Sequence, residues 1–338
     1  MVTDIYPYNK LSVRPRIRGQ QEAAVDALLT DHFGVEAVTV SSARAGIYLI
    51  LKQLGLTRQD HIVASDFLCR SVLYILNLLG FAVQVPDERT KAIFVVHQWG
   101  YPQRMDIIMD EAKKHRWFVI EDCVHTFGSS YRGQVVGSFG DAAVVSFPKL
   151  FPTYVGGAVL SKRGDIINHV RDERSKPRSI AHRVFDYISV RVARQNYLGR
   201  NRPFLATAAY IKSIHFPRIP RAALRRLPRT SEDIASDLAR RKRCFETLKK
   251  SAGPVYHPKA LDEDSDVIPL CVPIFLPEEK LATAKLMLKE KNIKADILHF
   301  DVNRNVLNPL YKKCLALPCH QYVTDEELNA MCDVITRV

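Results

Sequence analysis

Apolar residues recur with two different periods along the first half of the chain. Stretches with an apolar residue every three or four positions predict amphipathic helices, and short continuous apolar runs predict buried strands. The predicted helices are Gln20–Leu29, Ala45–Leu54, Ser71–Leu79 and Met105–His115. The predicted strands are Ile62–Ala64, Ala82–Val85, Ile93–Val96, Phe118–Glu121, Ala142–Ser146 and Gly157–Leu160. Strands that alternate with helices favour an α/β fold whose mostly parallel sheet is covered on both faces.

The second half of the chain has a less regular pattern. Prolines interrupt the stretch Lys162–Arg229, which predicts irregular structure with helical parts. The elements predicted after it are a helix Ser231–Lys250, a strand Ile268–Phe275, and helices Pro277–Lys291 and Thr324–Ile335. The spacing Thr324-x-x-Glu327 is a capping box, which marks the start of the last helix. We therefore predict a large domain over residues 1–230 and a small α/β domain over residues 231–338.

The composition narrows the class of protein. The 338 residues are 47% hydrophobic and 25% charged, which is typical of a globular chain and not of a disordered one. No apolar run reaches the roughly 18 residues of a membrane span, and we expect no secretory signal in the N-terminal residues. Seven cysteines occur without a CxxC pair, which argues against a disulfide framework or a zinc ribbon. We expect a cytoplasmic protein without a metal site.

The positive charge of the chain is concentrated in one segment. The net charge is +13, and Lys162–Arg229 alone contains 17 Lys and Arg residues against four acids. Because this segment has no aromatic stacking platform and no nucleic-acid-binding signature, we expect no nucleic-acid partner. Three interpretations stay open: a solvated helical surface, a platform for an anionic substrate such as a nucleotide diphosphate, or a contact with anionic lipid headgroups. Apolar residues alternate with arginines in Arg183–Arg194, which is compatible with the lipid contact.

Chemically versatile side chains follow two of the predicted strands. Glu121 and Asp122 come at the end of one strand, and His125 follows three residues later. Ser146 ends the next strand, with Lys149 just beyond it. Ligands of open parallel sheets bind at the carboxyl ends of the strands. The sequence therefore predicts a cleft at which a carboxylate, an imidazole, a hydroxyl and an amine come together.

The sequence around these residues resembles the signature of the DegT-type nucleotide-sugar aminotransferases, in the stretches VIEDCVHTFG and PKLFPTYVGGAVLSK. Three more stretches are similar to family motifs in the same order. The family's Ser-Gly-x-Ala phosphate turn and the helix after it are similar to TVSSARAGIYLILKQLGL. A strand, glycine turn and helix of the family are similar to VVHQWGYPQRMDIIMDEAKKH. The family's Leu-Pro-x-His closing motif is similar to LALPCHQYVTDEELNAM. The resemblance runs from about Val38 to the C-terminus and is weak in the middle. It implies a fold-type I transferase that depends on pyridoxal phosphate, with a mostly parallel seven-stranded sheet and a small C-terminal domain.

The resemblance implies a role for each residue of the predicted catalytic set, Lys149, Asp122 and His125. Lys149 would bond to the aldehyde of pyridoxal 5'-phosphate and then shuttle a proton, tasks that suit a desolvated lysine. Asp122 would keep the pyridine nitrogen protonated, and His125 would lie near the ring oxygen and ring face. Phe67 would stack on the pyridine ring, with a core phenylalanine as the alternative.

The resemblance also implies a phosphate site. Ser146 and the backbone of Ala43 and Arg44, at the start of a helix, would hold the cofactor phosphate. The family supplies a further Asn from the partner subunit, and Asn201, within Gly199–Arg202, is the nearest match. Ala43 stands where family members usually carry Gly, which leaves open a catalytically impaired member.

The implied reaction is the transfer of an amino group from L-glutamate to the keto group of a nucleotide-linked sugar, in a homodimer whose subunits share their active sites. The basic segment would attract the substrate diphosphate or contact an anionic membrane surface. Two alternatives stay open. Some relatives are pyridoxal-phosphate-dependent sugar dehydratases in which a histidine replaces the lysine, and Lys149 argues against this reaction. A catalytically impaired member would instead be a binding or docking protein.

Overall fold

A seven-stranded sheet organises the computed structural model, which describes residues 3–4, 21–151, 153–177, 179–197 and 213–338. The strand order is β1 (Glu36–Val40), β9 (Gly157–Ser161), β8 (Ala142–Ser146), β5 (Phe118–Asp122), β4 (Thr90–Val96), β2 (His61–Ala64) and β3 (Phe81–Val83). β9 runs antiparallel to both of its neighbours, and the other paired strands are parallel. The prediction of a mostly parallel α/β sheet is confirmed.

Helices cover both faces of this sheet. They are α1 (Glu22–Phe33), α2 (Ala43–Leu54), α3 (Arg70–Leu79), α4 (Met105–His115) and α6 (Gly164–Ser175). The apolar residues of α2, α3 and α6 share one buried cluster with the sheet, and those of α1 and α4 pack in clusters on the other face. Each face is therefore shielded from water, which explains the continuous apolar runs of the strands.

The described part of the basic segment is mostly helical. Besides α6 it contains α7 (Ile180–Tyr197) and the short α8 (Arg221–Leu224). The expected helical parts are thus present. No helix among the described residues has the length and apolar character needed to cross a bilayer.

The C-terminal region contains more strands than the sequence pattern predicts. The helices α9 (Ser231–Tyr256), α10 (Glu278–Glu290) and α11 (Asp325–Arg337) accompany the strands β11 (Cys271–Ile274), β12 (Asp296–Asp301) and β13 (Tyr311–Pro318). The three strands form an antiparallel sheet in the order β11-β13-β12. The expectation of a single strand is wrong, because β12 and the first half of β13 mix exposed and partly buried positions and so lack a clear apolar run.

Side-chain caps fix the starts of two C-terminal helices. The Thr230 hydroxyl accepts a hydrogen bond from the Asp233 N–H at the start of α9. At α11 the predicted capping box is confirmed, with Thr324 and Glu327 each bonding the other's backbone N–H. The helix α9 begins where the sequence places the small domain, and the division of the chain at residue 230 stays a prediction.

Two more strand pairs lie near the cleft. The short strands β6 (Ser130–Tyr131), β7 (Gln134–Val135) and β10 (Ser265–Asp266) form a small antiparallel sheet in the order β10-β6-β7. Because β10 follows α9 in the chain and β6 follows β5, this small sheet joins the C-terminal region to the segment that follows β5.

Candidate active site

Lys149 lies on a single helical turn that follows β8 at the sheet edge. In this turn, α5 (Phe147–Leu150), the Phe151 N–H donates to the Phe147 carbonyl oxygen at 2.7 Å. Phe147 and Leu150 are fully buried, so their side chains hold the turn against the core. Lys149 itself is only partly buried and is left at the edge where β5 also ends.

His125 links Lys149 to a neighbouring backbone N–H. The Lys149 Nζ lies 2.9 Å from His125 Nε2, and the Trp99 N–H donates to His125 Nδ1 at 3.3 Å. Because Nδ1 accepts a hydrogen bond, a neutral His125 carries its proton on Nε2. That Nε2–H donates to Lys149, which must accept it with the lone pair of a neutral amine. The two hydrogen bonds together favour the nucleophilic form of Lys149.

Burial also favours the neutral form of the Lys149 amine. Desolvation lowers the pKa of Lys149, while the nearby charges of Asp122 and Cys69 oppose this effect. Desolvation also lowers the pKa of His125 well below its usual value, and the charge of Lys149 lowers it further. A neutral lysine amine is the form that attacks a carbonyl carbon.

Asp122 is buried beside this pair, at the end of β5. Among the described residues its carboxylate accepts one hydrogen bond, from the Val124 N–H at 3.0 Å. Burial raises the pKa of Asp122, against the opposing effect of the Lys149 charge. A buried carboxylate with few donors is stabilised by a cationic partner. The site therefore favours a positively charged group, such as a protonated ring nitrogen, next to Asp122.

Glu121 faces away from the cleft, because adjacent strand residues point to opposite faces of a sheet. Its carboxylate accepts hydrogen bonds from three backbone N–H groups of residues 137–140 at 2.7 to 2.8 Å. The fourth donor is His97 Nε2 at 3.0 Å, while His97 Nδ1 accepts the Gln103 N–H. Potential metal ligands of His97, Glu121 and Cys123 lie within 4.8 Å of one another. Since hydrogen bonds occupy both His97 nitrogens and both Glu121 oxygens, this group is an internal anchor.

Phe67 lies at the mouth of the cleft. Its side chain is 55% exposed, which excludes the core alternative. The ring stacks on His299, with centroids 5.1 Å apart and planes at 17°, and it meets the Tyr311 ring edge-on at 4.5 Å. Phe67 and His125 also share the wall of a cavity of about 90 Å³. The structure thus brings Phe67 next to the predicted catalytic set.

The residues predicted to bind a phosphate lie at the start of α2. The helix begins at Ala43, and the Ser42 hydroxyl caps it by accepting the Ala45 N–H at 3.1 Å. This leaves the N–H groups of Ala43 and Arg44 at a helix N-terminus, where geometry and dipole favour an anion. Ser146 ends β8, and β9 lies between β8 and the strand β1 that precedes α2. The Ser146 side chain does not cap α5. Asn201 lies outside the described residues.

The antiparallel strand β9 begins between Ser146 and the start of α2. Gly157 pairs with Ser146, and the preceding Gly156 forms a bridge with Ser42. A Cβ atom at Gly157 would lie 2.4 Å from the Val145 carbonyl oxygen. Only glycine permits this approach, which keeps the elements of the predicted phosphate site next to one another.

Gln98 connects the site to the C-terminal sheet. Its side-chain amide donates to the His299 carbonyl oxygen at 2.7 Å and accepts the Asp301 N–H at 3.0 Å. Both partners belong to β12, an outer strand of its sheet. The turn that contains Gln98 and Trp99 therefore contacts β12 on one side and His125 on the other.

Sequence reasoning did not identify Trp99 or Cys69. Trp99 has a left-handed backbone, with φ 54°, and a non-glycine residue in this conformation has no sequence signature. Cys69 precedes α3, and its Sγ lies 3.2 Å from the Ser71 hydroxyl. Although desolvation acts to raise it, the pKa of Cys69 is lowered by Ser71 and by the charges of Lys149 and Arg44. This proximity to Lys149 follows from the fold and not from chain order.

Comparisons with known proteins identify relatives of this chain. A model of the DegT/DnrJ/EryC1/StrS aminotransferase family matches residues 81–336, more than half of the chain. A GDP-perosamine synthase from Caulobacter vibrioides is 40% identical over 162 residues, which cover 42% of this chain and 44% of that protein. A UDP-4-amino-4-deoxy-L-arabinose–oxoglutarate aminotransferase from Shewanella sediminis is 30% identical over 141 residues, 36% of each chain. The matched regions span less than half of these curated relatives.

Solved structures show the same fold over almost the whole chain. A DegT DnrJ EryC1 StrS aminotransferase from Brucella abortus has a TM-score of 0.71 at 17% identity, covering 97% of this chain and 93% of that one. Helicobacter pylori PseC, an aminotransferase involved in the biosynthesis of pseudoaminic acid, has a TM-score of 0.66 at 17% identity, covering 98% and 94%. The predicted fold class is confirmed.

Proposed function

Since the chain belongs to the DegT/DnrJ/EryC1/StrS aminotransferase family, we propose that it is a pyridoxal-phosphate-dependent aminotransferase. It moves an amino group from L-glutamate to the keto group of a nucleotide-linked sugar. The observation that carries this proposal is the Lys149 amine, held 2.9 Å from His125 beside the buried carboxylate of Asp122.

The residues at the sheet edge fit pyridoxal phosphate. When bound, this cofactor supplies an electrophilic aldehyde and a ring that accepts carbanion electrons. Asp122 is suited to hold the ring nitrogen protonated, because its buried carboxylate needs a cationic partner. Once Lys149 is bonded to the aldehyde, the Nε2–H of His125 would be available to the ring oxygen, and Phe67 would cover a ring face. Lys149 supplies the amine that bonds to the aldehyde.

The phosphate of the cofactor belongs at the start of α2. The N–H groups of Ala43 and Arg44 and the hydroxyl of Ser146 are its donors in this proposal, on the geometry of the helix N-terminus. The family pattern alone adds Asn201 of a second copy. Ala43 in place of glycine does not disturb the helix start, since Ser42 still caps it.

Lys149 also moves the proton during amino transfer. Because desolvation lowers the pKa of Lys149, its free amine can take a proton from the substrate carbon and return it to the carbon on the other side of the nitrogen.

The names of the relatives support the substrate class. They include GDP-perosamine synthases and an aminotransferase that acts between UDP-4-amino-4-deoxy-L-arabinose and oxoglutarate. A nucleotide-linked keto sugar and L-glutamate are therefore the proposed substrates. The cations of the basic segment, such as Arg221 and Arg225, would attract the diphosphate group.

Absorbance spectroscopy tests the proposal. Addition of pyridoxal phosphate to the purified protein is expected to give a visible band that disappears when L-glutamate is added. Lys149→Ala is expected to lack this response, while Lys162→Ala, at an exposed lysine after β9, keeps it. A wild-type protein without the band, or a Lys149→Ala variant that responds to L-glutamate like the wild type, would contradict the proposal.

Product analysis separates the alternatives. With L-glutamate and a nucleotide-linked keto sugar, an aminotransferase gives an amino sugar and 2-oxoglutarate, whereas a dehydratase gives a deoxy sugar. A catalytically impaired docking protein gives neither. The presence of Lys149, at the position where the dehydratases carry a histidine, favours the first outcome.

We further propose a homodimer that joins at the outer face of α3. This face exposes Leu73, Tyr74 and Leu78, on the helix that begins three residues after Phe67. A second copy is the occupant because the face is continuous with a site to which the family pattern adds a partner residue. Sedimentation equilibrium is expected to give a dimer for the wild type and a monomer for Leu73→Glu. Leu286→Glu, on the exposed side of α10, is the control, and a monomeric wild type would contradict the proposal.

The exposed face of α7 is proposed to contact an anionic membrane surface. Ile180, Val184, Tyr187 and Ile188 form an apolar stripe on one face of the helix, and Arg191 bonds the Tyr187 hydroxyl at 3.1 Å. Cations beside an apolar stripe complement anionic headgroups. Flotation with vesicles that contain about one quarter phosphatidylserine is expected to carry the protein, and Val184→Asp abolishes this binding. Equal binding to pure phosphatidylcholine vesicles would contradict the electrostatic contact.

A further inference from the structure

Two side chains of the C-terminal region hold the helical turn that carries Lys149. The carbonyl oxygen of the next residue, Leu150, accepts a hydrogen bond from Arg241 Nη2 at 2.8 Å and another from Gln321 Nε2 at 3.0 Å. The last carbonyls of a helix have no donor within that helix, and a carbonyl oxygen has two lone pairs. Arg241 and Gln321 fill both of them. Together they form the Leu150 clamp.

The two residues of the clamp also fix each other. Arg241 Nε donates to Gln321 Oε1 at 2.8 Å, so the NH₂ end of the Gln321 amide is the end that faces Leu150. Arg241 is 2% exposed and Gln321 is 5% exposed. Burial lowers the pKa of Arg241, while the charge of Asp237 raises it, and a guanidinium stays protonated in proteins. The clamp therefore contains a charge-assisted hydrogen bond at a buried position, which is one of the stronger kinds.

The loop that carries Gln321 is itself held in place. It follows the Leu-Pro-x-His motif, which the proposed function does not use. The Cys319 N–H donates to the Leu270 carbonyl oxygen at 3.1 Å. The Tyr322 N–H donates to His320 Nδ1 at 3.2 Å. The clamp thus has a fixed base, with this loop on one side and the long helix α9 on the other.

The turn needs such support because it is short. It has four residues and is closed by the bond from the Phe151 N–H to the Phe147 carbonyl oxygen, and a single helical turn is not stable by itself. The buried side chains of Phe147 and Leu150 add apolar packing, which has no preferred direction. Hydrogen bonds do have one. The clamp therefore fixes the orientation of the turn and the position of the residue before Leu150.

Lys149 depends on this position in two ways. Its Nζ lies 2.9 Å from His125 Nε2, a contact that a small rotation of the turn would break. Its amine is also desolvated, and desolvation is the largest cause of the lowered pKa of Lys149. The charges of Asp122 and Cys69 raise this pKa and the charge of Arg44 lowers it. None of these three groups belongs to the clamp.

We propose that Arg241 and Gln321 are positioning residues for Lys149, which hold its amine in contact with His125 and away from bulk water. This role rests on the proposed function, in which Lys149 is the reactive amine. Neither residue touches the cofactor or the substrate in this proposal, because both act through the backbone of Leu150. Loss of the clamp lets the turn move, so that water reaches the amine and favours its protonated form.

Acetylation of Lys149 in the full chain without cofactor tests this role. Acetic anhydride reacts with the neutral form of an amine, so the acetylated fraction after a brief treatment at each pH, read by peptide mass spectrometry, gives the midpoint at which Lys149 loses its proton. Arg241→Met keeps a long side chain and removes the donors. We expect it to move this midpoint to higher pH and to slow the binding of pyridoxal phosphate about tenfold. The exposed Lys162 is the internal reference, with an unchanged midpoint.

Further variants separate positioning from folding. Arg241→Lys keeps the charge and one donor group, so it is expected to shift the midpoint less than Arg241→Met. Leu248→Ala is the matched control, since Leu248 is a fully buried residue of the same helix. Its truncation weakens the core and removes no donor from Leu150. It is expected to lower the urea midpoint of unfolding and to leave the Lys149 midpoint in place.

Three outcomes decide between the possibilities. An unchanged Lys149 midpoint in Arg241→Met would overturn the proposal, and so would an equal shift in Leu248→Ala. If Arg241→Met does not fold, Gln321→Leu decides, because it removes one of the two donors and is expected to shift the midpoint in the same direction. A wild type that gives no visible band with pyridoxal phosphate, while the variants show the expected midpoints, refutes the proposed function alone.

Discussion

The two adjacent carboxylates at the end of β5 are both buried and yet differ in their surroundings. Glu121 accepts four hydrogen bonds, from His97 and the backbone of residues 137–140. Asp122 accepts one among the described residues and lies beside Lys149. Burial alone therefore does not distinguish an anchoring carboxylate from a reactive one. The number of hydrogen-bond donors around each carboxylate does distinguish them.

Removal of the Glu121 charge tests whether this carboxylate anchors the fold. In Glu121→Gln an amide NH₂ replaces one oxygen and faces N–H donors, so the buried network is left with unpaired groups. We expect a loss of about 3–5 kcal/mol in the free energy of unfolding, measured by urea denaturation. Glu278→Gln is the control, because Glu278 pairs with Lys313 at an exposed position and should change little. Equal midpoints for wild type and Glu121→Gln would show that the four bonds do not anchor the fold.

The same change at Asp122 is expected to act on activity instead. Asp122→Asn should slow amino transfer about 10²–10³-fold, as expected when a preorganised charge is lost from an active site. Burial raises the pKa of Asp122, so the folded protein loses stability as the pH rises through this raised value. The variant lacks this loss and is expected to be at least as stable as the wild type at neutral pH. If Asp122→Asn were strongly destabilised, Asp122 would anchor the fold as Glu121 does.

A smaller effect tests the hydrogen bonds of His125. A glutamine at this position can accept the Trp99 N–H and donate to Lys149, whereas a leucine can do neither. We expect His125→Leu to bind pyridoxal phosphate about tenfold more slowly in stopped-flow absorbance and His125→Gln to stay within a few-fold of the wild type. If both variants slowed equally, the shape of the imidazole would matter and its proton would not.

The pH dependence of the rate of cofactor binding tests the lowered pKa of Lys149 and is expected to change least. Because desolvation lowers the pKa of Lys149, the rate of cofactor binding should reach half its maximum at a pH below the ordinary range of lysine. The charge of Asp122 raises the pKa of Lys149, so Asp122→Asn should move this midpoint further down. His125 stays neutral throughout, since burial lowers its pKa, and no second step is expected near pH 6.5. A midpoint that rises in Asp122→Asn would refute the coupling.

The fold was predictable where the pattern of apolar residues is uninterrupted. The bounds of α4 and β8 coincide with those predicted, Met105–His115 and Ala142–Ser146. In contrast, β1 was not predicted, because its five residues begin with an exposed glutamate and leave an apolar run that a threonine interrupts. β12 and β13 were missed for a similar reason, since mixed exposure hides their period.

The site residues also divide into those that the sequence predicts and those that it does not. Lys149, Asp122 and His125 follow strands that the sequence predicts, so their meeting at one edge could be inferred from chain order and family motifs. Trp99 and Cys69 could not, because the first depends on a left-handed backbone and the second approaches Lys149 from a distant part of the chain. Such features are set by tertiary contacts and leave no local pattern.

The amide of Gln98 has a consequence for the solubility of the protein. β12 is an outer strand, and outer strands expose backbone groups to which another chain can add a strand. Gln98 bonds one carbonyl oxygen and one N–H of β12, at His299 and Asp301. A single side chain thus occupies two backbone groups of β12 and leaves them unavailable for pairing with a strand of another chain.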